Sequence, residues 1–118
     1  MISLPEPPTA IIVASLVIAY GARRALEGAG LRLGTDVSIL THDDVMSYMR
    51  NEGEPPVFTA TRSSVREAGQ LAAEMLLGLI SDPNERPAQT LLRAELIQGQ
   101  STGPVPPTVV RSSGTSHL

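Results

Sequence analysis

Two short, continuously apolar runs, TAIIVA at 9–14 and VSIL at 37–40, flank an amphipathic stretch. Runs of that length without alternation suit strands covered on both faces, as in a parallel sheet. Parallel neighbours need a crossover of a dozen or more residues, and Leu16 to Ala29 supplies one. Ser15 stands at the N-cap position, where its hydroxyl can accept from the first free backbone N–H groups. Ile18, Ala22, Ala25, Leu26 and Ala29 share one face at helical spacing, which is the expected core face. Arg23 and Glu27 lie one turn apart and can pair, and Gly30 offers a left-handed stop. Strand, helix and strand together form a β-α-β unit.

Beyond it, a short helix is expected from the Asp43-Asp44 pair to about Met49, and a third strand over Val57 to Thr61. Ser64-Val65-Arg66-Glu67 has the form of a capping box, opening a helix that runs to about Ser81. Its apolar stripe is Val65, Ala68, Gly69, Ala72, Leu76, Leu79 and Ile80. Gln89 to Gln98 reads as a last strand, and 104–118 as a disordered tail rich in Ser, Thr, Gly and Pro. The fold class expected is α/β: an open, partly doubly wound parallel sheet of three or four strands with three helices. Its outer strands would be bare, so it looks like part of a larger sheet.

Composition closes several routes. At 42% apolar residues, the 118-residue chain can build one core. A net charge of −3 argues against a nucleic-acid surface, which needs clustered positive charge. The absence of Cys removes thiolate metal sites and cysteine nucleophiles. With no Trp, one Phe and two Tyr, an aromatic stacking platform is not expected. The uncharged run from Ala10 to Ala22 falls short of the roughly 20 residues of a membrane span. Glu6 precedes it and Arg23-Arg24 follows, the reverse of a signal peptide. No membrane association and a cytoplasmic location are expected.

In open α/β sheets, ligands bind beyond the carboxyl ends of the strands. That rule selects Ser15, then Thr41 to Asp44, then Thr61 to Ser64. Asp43 can accept from vicinal hydroxyls of a sugar. The competing reading has one of Asp43 and Asp44 cap the following helix while the other meets ligand. Ser15, His42 and Asp43 invite a hydrolase reading, yet no nucleophile elbow or oxyanion hole is recognisable. A phosphoacceptor site would want a Lys, and there is none. No metal-ligand spacing and no glycine-rich phosphate cradle occur. The chain is therefore not expected to be an enzyme or to hold a cofactor or metal.

Several segments, in order and spacing, resemble the LacI/GalR family of bacterial transcriptional repressors. These are Pro8 to Ala14, Ala19 to Leu26, Gly30 to Ile39 and Asp43-Asp44. Pro56 to Thr61, Gln70 to Leu77 and Leu92 to Gly103 continue the match. Thr41-His42-Asp43-Asp44 and Thr61-Arg62-Ser63-Ser64 look like a branch associated with α-glucosides, α-galactosides or trehalose.

The resemblance implies a fragment of a two-lobed domain like that of periplasmic sugar-binding proteins (type I). Residues 1–103 would be its C-terminal part, with Thr9 to Met49 in the second lobe and Thr59 to Arg62 crossing over. The helix from Ser64 would lie on the first lobe, and Leu91 to Ile97 would return. The family's helix-turn-helix would lie outside this chain, so operator DNA would be met only through that headpiece. The implied function is effector sensing, with a sugar as effector, and homodimerisation. The alternative is a fragment of a sugar-binding transport protein with the same fold. The ligand-binding residues carried over are Asp43, Ser15, His42 and Ser63. Ser15-Leu16 stands where the family often has Asn-Asp, so one hydroxyl replaces the Asn and a carboxylate is lost. Val17, Tyr20 and Arg24 form a side stripe matching the family's dimer interface, although Tyr20 could instead cover the sheet edge.

Overall fold

The computed structural model describes residues 3–107. The elements are β1 (Ala10–Ile12), α1 (Leu16–Gly28), β2 (Ser38–Asp43), β3 (Thr59–Arg62), α2 (Val65–Ser81) and β4 (Glu95–Ile97). They form one four-stranded sheet in the order β1-β2-β3-β4. The β1–β2 and β2–β3 pairs are parallel, and β4 runs antiparallel to β3. The expected parallel pairing holds for β1 to β3, whereas the expected last strand joins the edge antiparallel instead of parallel.

Both ends of α1 follow from local chemistry. Ser15 Oγ accepts from the Ile18 N–H at 3.5 Å. At the far end the Gly30 N–H reaches the Glu27 carbonyl at 3.0 Å, and the Leu31 N–H reaches the Leu26 carbonyl at 2.9 Å. Gly30 sits at φ +75°, the left-handed position such a reversal needs. The Arg23–Glu27 pair forms at 2.8 Å.

The core face of α1 differs from the expected one. Leu16, Ala19 and Leu26 are buried, while Ile18, Ala25 and Ala29 are exposed. The helix packs on β2, joining Val37, Ile39 and Phe58 in one cluster with Tyr20 and Ile11 at its margin. The buried stripe follows the side that meets Ile39 and Phe58, which the helix's own sequence does not single out from its other apolar side.

Three further expectations are corrected. No helix follows Asp44. Val45 adopts φ 58° and Met46 bridges to Met49, so the chain turns there instead of winding. The last strand shrinks to Glu95–Ile97, and 89–94 has no regular structure. Among the described residues the apolar stripe of α2 covers no other element: the helix has no buried residue and packs against none of them. Of the expected tail, 104–107 is irregular and 108–118 lies outside the described residues.

The return segment after β4 threads through the base of the sheet. Ser101 is fully buried there. Its Oγ accepts from the Thr59 N–H at 2.9 Å and donates to the Ile39 carbonyl, and its own carbonyl accepts from the Ile39 N–H at 2.8 Å. It thus closes the gap between β2 and β3 where their pairing has not yet begun. Backbones approach closely here: a Cβ on Gly34 would fall 2.2 Å from the Gln100 carbonyl oxygen.

Candidate functional site

The parallel pairing of β2 and β3 sets His42 beside Thr61 and Asp43 beside Arg62. Alternation along the strands then sends the two pairs to opposite faces of the sheet. On one face, His42 Nδ1 lies 2.7 Å from Thr61 Oγ1, and Nε2 lies 3.1 Å from Ser63 Oγ and 3.3 Å from Asp44 Oδ1. Both ring nitrogens therefore have partners. On the other face, Asp43 is 3% exposed. Its Oδ1 accepts from the Val45 N–H at 2.9 Å, and its Oδ2 faces Arg62 Nε and Nη2 at 3.3 Å each.

Asp43 therefore caps a turn, not a helix: its bond to the amide two residues on holds Val45 in the left-handed conformation. The same carboxylate is ion-paired, which offsets the cost of burying its charge. The site brings together three of the expected residues, His42, Asp43 and Ser63. Ser15 lies at the end of β1 as the cap of α1 and makes no side-chain contact with them among the described residues. A hydrolytic relay through Ser15, His42 and Asp43 does not form, since the imidazole is engaged by Thr61, Ser63 and Asp44.

Two members of the cluster, Thr61 and Arg62, lie in the strand-end segment the sequence selects but are not among the ligand residues expected from it. Their signal was present: both lie at the carboxyl end of a strand, and pairing in register with His42 and Asp43 puts them in contact. That register is a tertiary fact. Beside them, the Thr41 hydroxyl is buried without a hydrogen-bond partner among the described residues.

The expected interface stripe divides. Val17 is 61% exposed, and Arg24 is also exposed. Tyr20 turns inward: its ring meets Phe58 edge-on at 5.0 Å, and its hydroxyl donates to the Arg50 carbonyl at 2.9 Å. Tyr20 is thus part of the core margin, and the stripe is not wholly separate from the core face.

A parallel sheet with a polar cluster at the carboxyl ends of its strands agrees with a family model. Residues 1–102 match the periplasmic binding protein-like domain. The chain belongs to that family. Within it, the chain is of the LacI/GalR type. It is 48% identical over 102 residues to the HTH-type transcriptional regulator AglR of Rhizobium meliloti (strain 1021), covering 86% of this chain and 29% of that protein. It is 30% identical over 99 residues to the probable HTH-type transcriptional repressor ExuR of Bacillus subtilis (strain 168), covering 82% and 28%. A solved LacI family transcriptional regulator from Bifidobacterium animalis subsp. lactis superposes with a TM-score of 0.71 at 34% identity, over 88% of this chain and 37% of that one. The chain thus spans about three-tenths of the length of these curated relatives. They are named as regulators and repressors, in agreement with a non-enzymatic module. Among the described residues no helix is long and apolar enough to cross a membrane.

Proposed function

We propose that residues 1–103 are the effector-sensing and dimerising part of a LacI-type transcriptional regulator acting in the cytoplasm. The observation that carries this reading is the meeting of β2 and β3, which gathers a buried, ion-paired Asp43 and a saturated His42–Thr61–Ser63 network at the strand ends. Hydroxyl, carboxylate and guanidinium groups at one sheet edge suit a ligand with many hydroxyls, hence a sugar. Ser15, His42, Asp43 and Ser63 belong to its binding surface. Ligand held there shifts the population between two arrangements of the domain, and a homodimer passes that shift to DNA-binding headpieces outside this chain. Val17 and Arg24, with the edge of Tyr20, contribute the dimer contact. The transport-protein reading shares the fold, but the relatives' names favour the regulator.

Calorimetric titration of the chain with neutral mono- and disaccharides tests this. At least one should bind, and Asp43→Ala should weaken it by about 1.5 kcal/mol or more, because the charge-assisted bonds that hold Arg62 and the strand-end turn in place are lost. Saccharide binding that Asp43→Ala leaves unchanged, or no saccharide binding at all, contradicts the proposal.

A further inference from the structure

We infer that Arg62 is the specificity-determining donor of this site, held in place by Asp43, and that it reads an uncharged sugar oxygen while the surrounding carboxylates reject sugar acids. The inference rests on the sugar-binding reading above and adds the group that selects the ligand.

Accessibility separates the two partners. Asp43 is 3% exposed, and both its oxygens already accept hydrogen bonds. Little of it remains to meet a ligand. The Arg62 side chain is 40% exposed. Only Nε and Nη2 of its guanidinium contact Asp43, so Nη1 has no partner among the described residues. The neighbouring donors are already engaged: the imidazole of His42 is shared among Thr61, Ser63 and Asp44. Arg62 is therefore the donor this edge presents outward, and Asp43 is its positioning residue. The planar fork, fixed on one side by a buried carboxylate, loses little freedom when its other side bonds a ligand.

Local charge then selects among acceptors. Arg62 lies between Asp43 on β2 and Glu95, its register partner on β4. Asp44, next along the chain, belongs to the opposite face, where its Oδ1 lies 3.3 Å from Nε2 of His42. Two carboxylates, Asp43 and Glu95, thus flank one guanidinium. A ring or hydroxyl oxygen can accept from Arg62 in that field, whereas an added anion meets the negative charge of Glu95, which the Asp43–Arg62 pair leaves uncompensated.

The test is a titration of the full chain followed by ¹⁵N NMR, including the Arg62 Nε–Hε resonance. The probes are glucose and galactose beside glucuronate and galacturonate at matched ionic strength. A neutral sugar should shift that resonance and bind at least about tenfold tighter than its uronate, a gap of roughly 1.4 kcal/mol. Arg62→Met should weaken the neutral sugar at least tenfold, and Arg62→Lys should keep part of the affinity. Asp43→Asn should displace the Nε–Hε resonance before any sugar is added, which a purely supporting role at the turn would not do. Glu95→Gln should narrow the gap between sugar and uronate. Wild-type affinity in Arg62→Met, or a uronate bound as tightly as its neutral parent, overturns this inference and leaves the sugar reading standing. If no sugar shifts any resonance, both fall.

Discussion

Ser101 satisfies a backbone donor on β3 and a backbone acceptor on β2 with one hydroxyl, in a place water does not reach. Ser101→Ala leaves both groups buried and unpaired, at about 1–3 kcal/mol for each group so stranded. The Thr59 amide should then exchange with solvent at least about tenfold faster, measured by hydrogen exchange. Unchanged protection would mean that the plug does not hold the strands. Asp36 offers a pH-dependent contact of a different kind. The Arg32 N–H at 2.7 Å and the Arg32 guanidinium hold its carboxyl below the usual carboxylate value of 3.8. A depressed value means that the stabilisation is present above the unfolded pKa and is lost as pH falls through the lowered one. An NMR titration of the Asp36 carboxyl should have its midpoint below 3.8. A midpoint at or above that value contradicts the contact.

Two glycines with positive φ, Gly30 and Gly34, lie in the loop between α1 and β2, and they should not tolerate a side chain equally. A Cβ on Gly30 meets nothing within 4 Å, so Gly30→Ala costs only the left-handed strain, about 1 kcal/mol. Gly34→Ala adds a collision with the Gln100 backbone, which cannot rotate away, and must push the 99–103 segment off the sheet. Thermal melts should place Gly34→Ala well below Gly30→Ala, and equal melting points would refute the close approach. Helix α2 shows a different limit. Its cap works, with the Glu67 N–H on Ser64 Oγ at 3.2 Å, yet Leu76, Leu77 and Ile80 remain 58–67% exposed. Its formation therefore rests on propensity and capping, with no packed face to anchor it.

The molecule as a whole is extended. Its radius of gyration is 20.0 Å, against about 13 Å for a compact domain of 100 residues. Helix α2 contacts none of the other elements, and the exposed stretch after it rejoins the sheet only at β4. Val17, Ile18, Leu76, Leu77 and Ile80 are all more than half exposed on the two helices, and exposed apolar side chains gathered on one face favour association. Sedimentation should show concentration-dependent self-association, and dye binding should report accessible apolar surface. A sharp two-state melt in a confirmed monomer would contradict this. Specific DNA binding is not expected of residues 1–118. The charge is −3, and Arg23 of the Arg23-Arg24 pair is neutralised by Glu27. Sequence-selective retention in a gel shift at physiological salt would refute that placement of function.

The β-α-β unit, the caps Ser15 and Ser64, the Gly30 stop, the Arg23–Glu27 pair and the strand ends where polar groups gather were all legible in the chain. Each depends on residues within a few positions of one another, so local hydrogen bonding and periodicity suffice to place them. Tertiary contact decided the rest. Which apolar side of α1 is buried depends on Ile39 and Phe58, and Tyr20 turned inward for the same reason. Asp43 became the anchor of Arg62 because parallel register put positions 43 and 62 side by side. The turn after Asp44 replaced a helix because the Asp43 carboxylate took the Val45 amide. The stripe on α2 was read correctly as apolar, but periodicity reports only that a face is suited to burial. Whether anything covers it is decided by the chain's path, and here that path carries α2 away from the sheet.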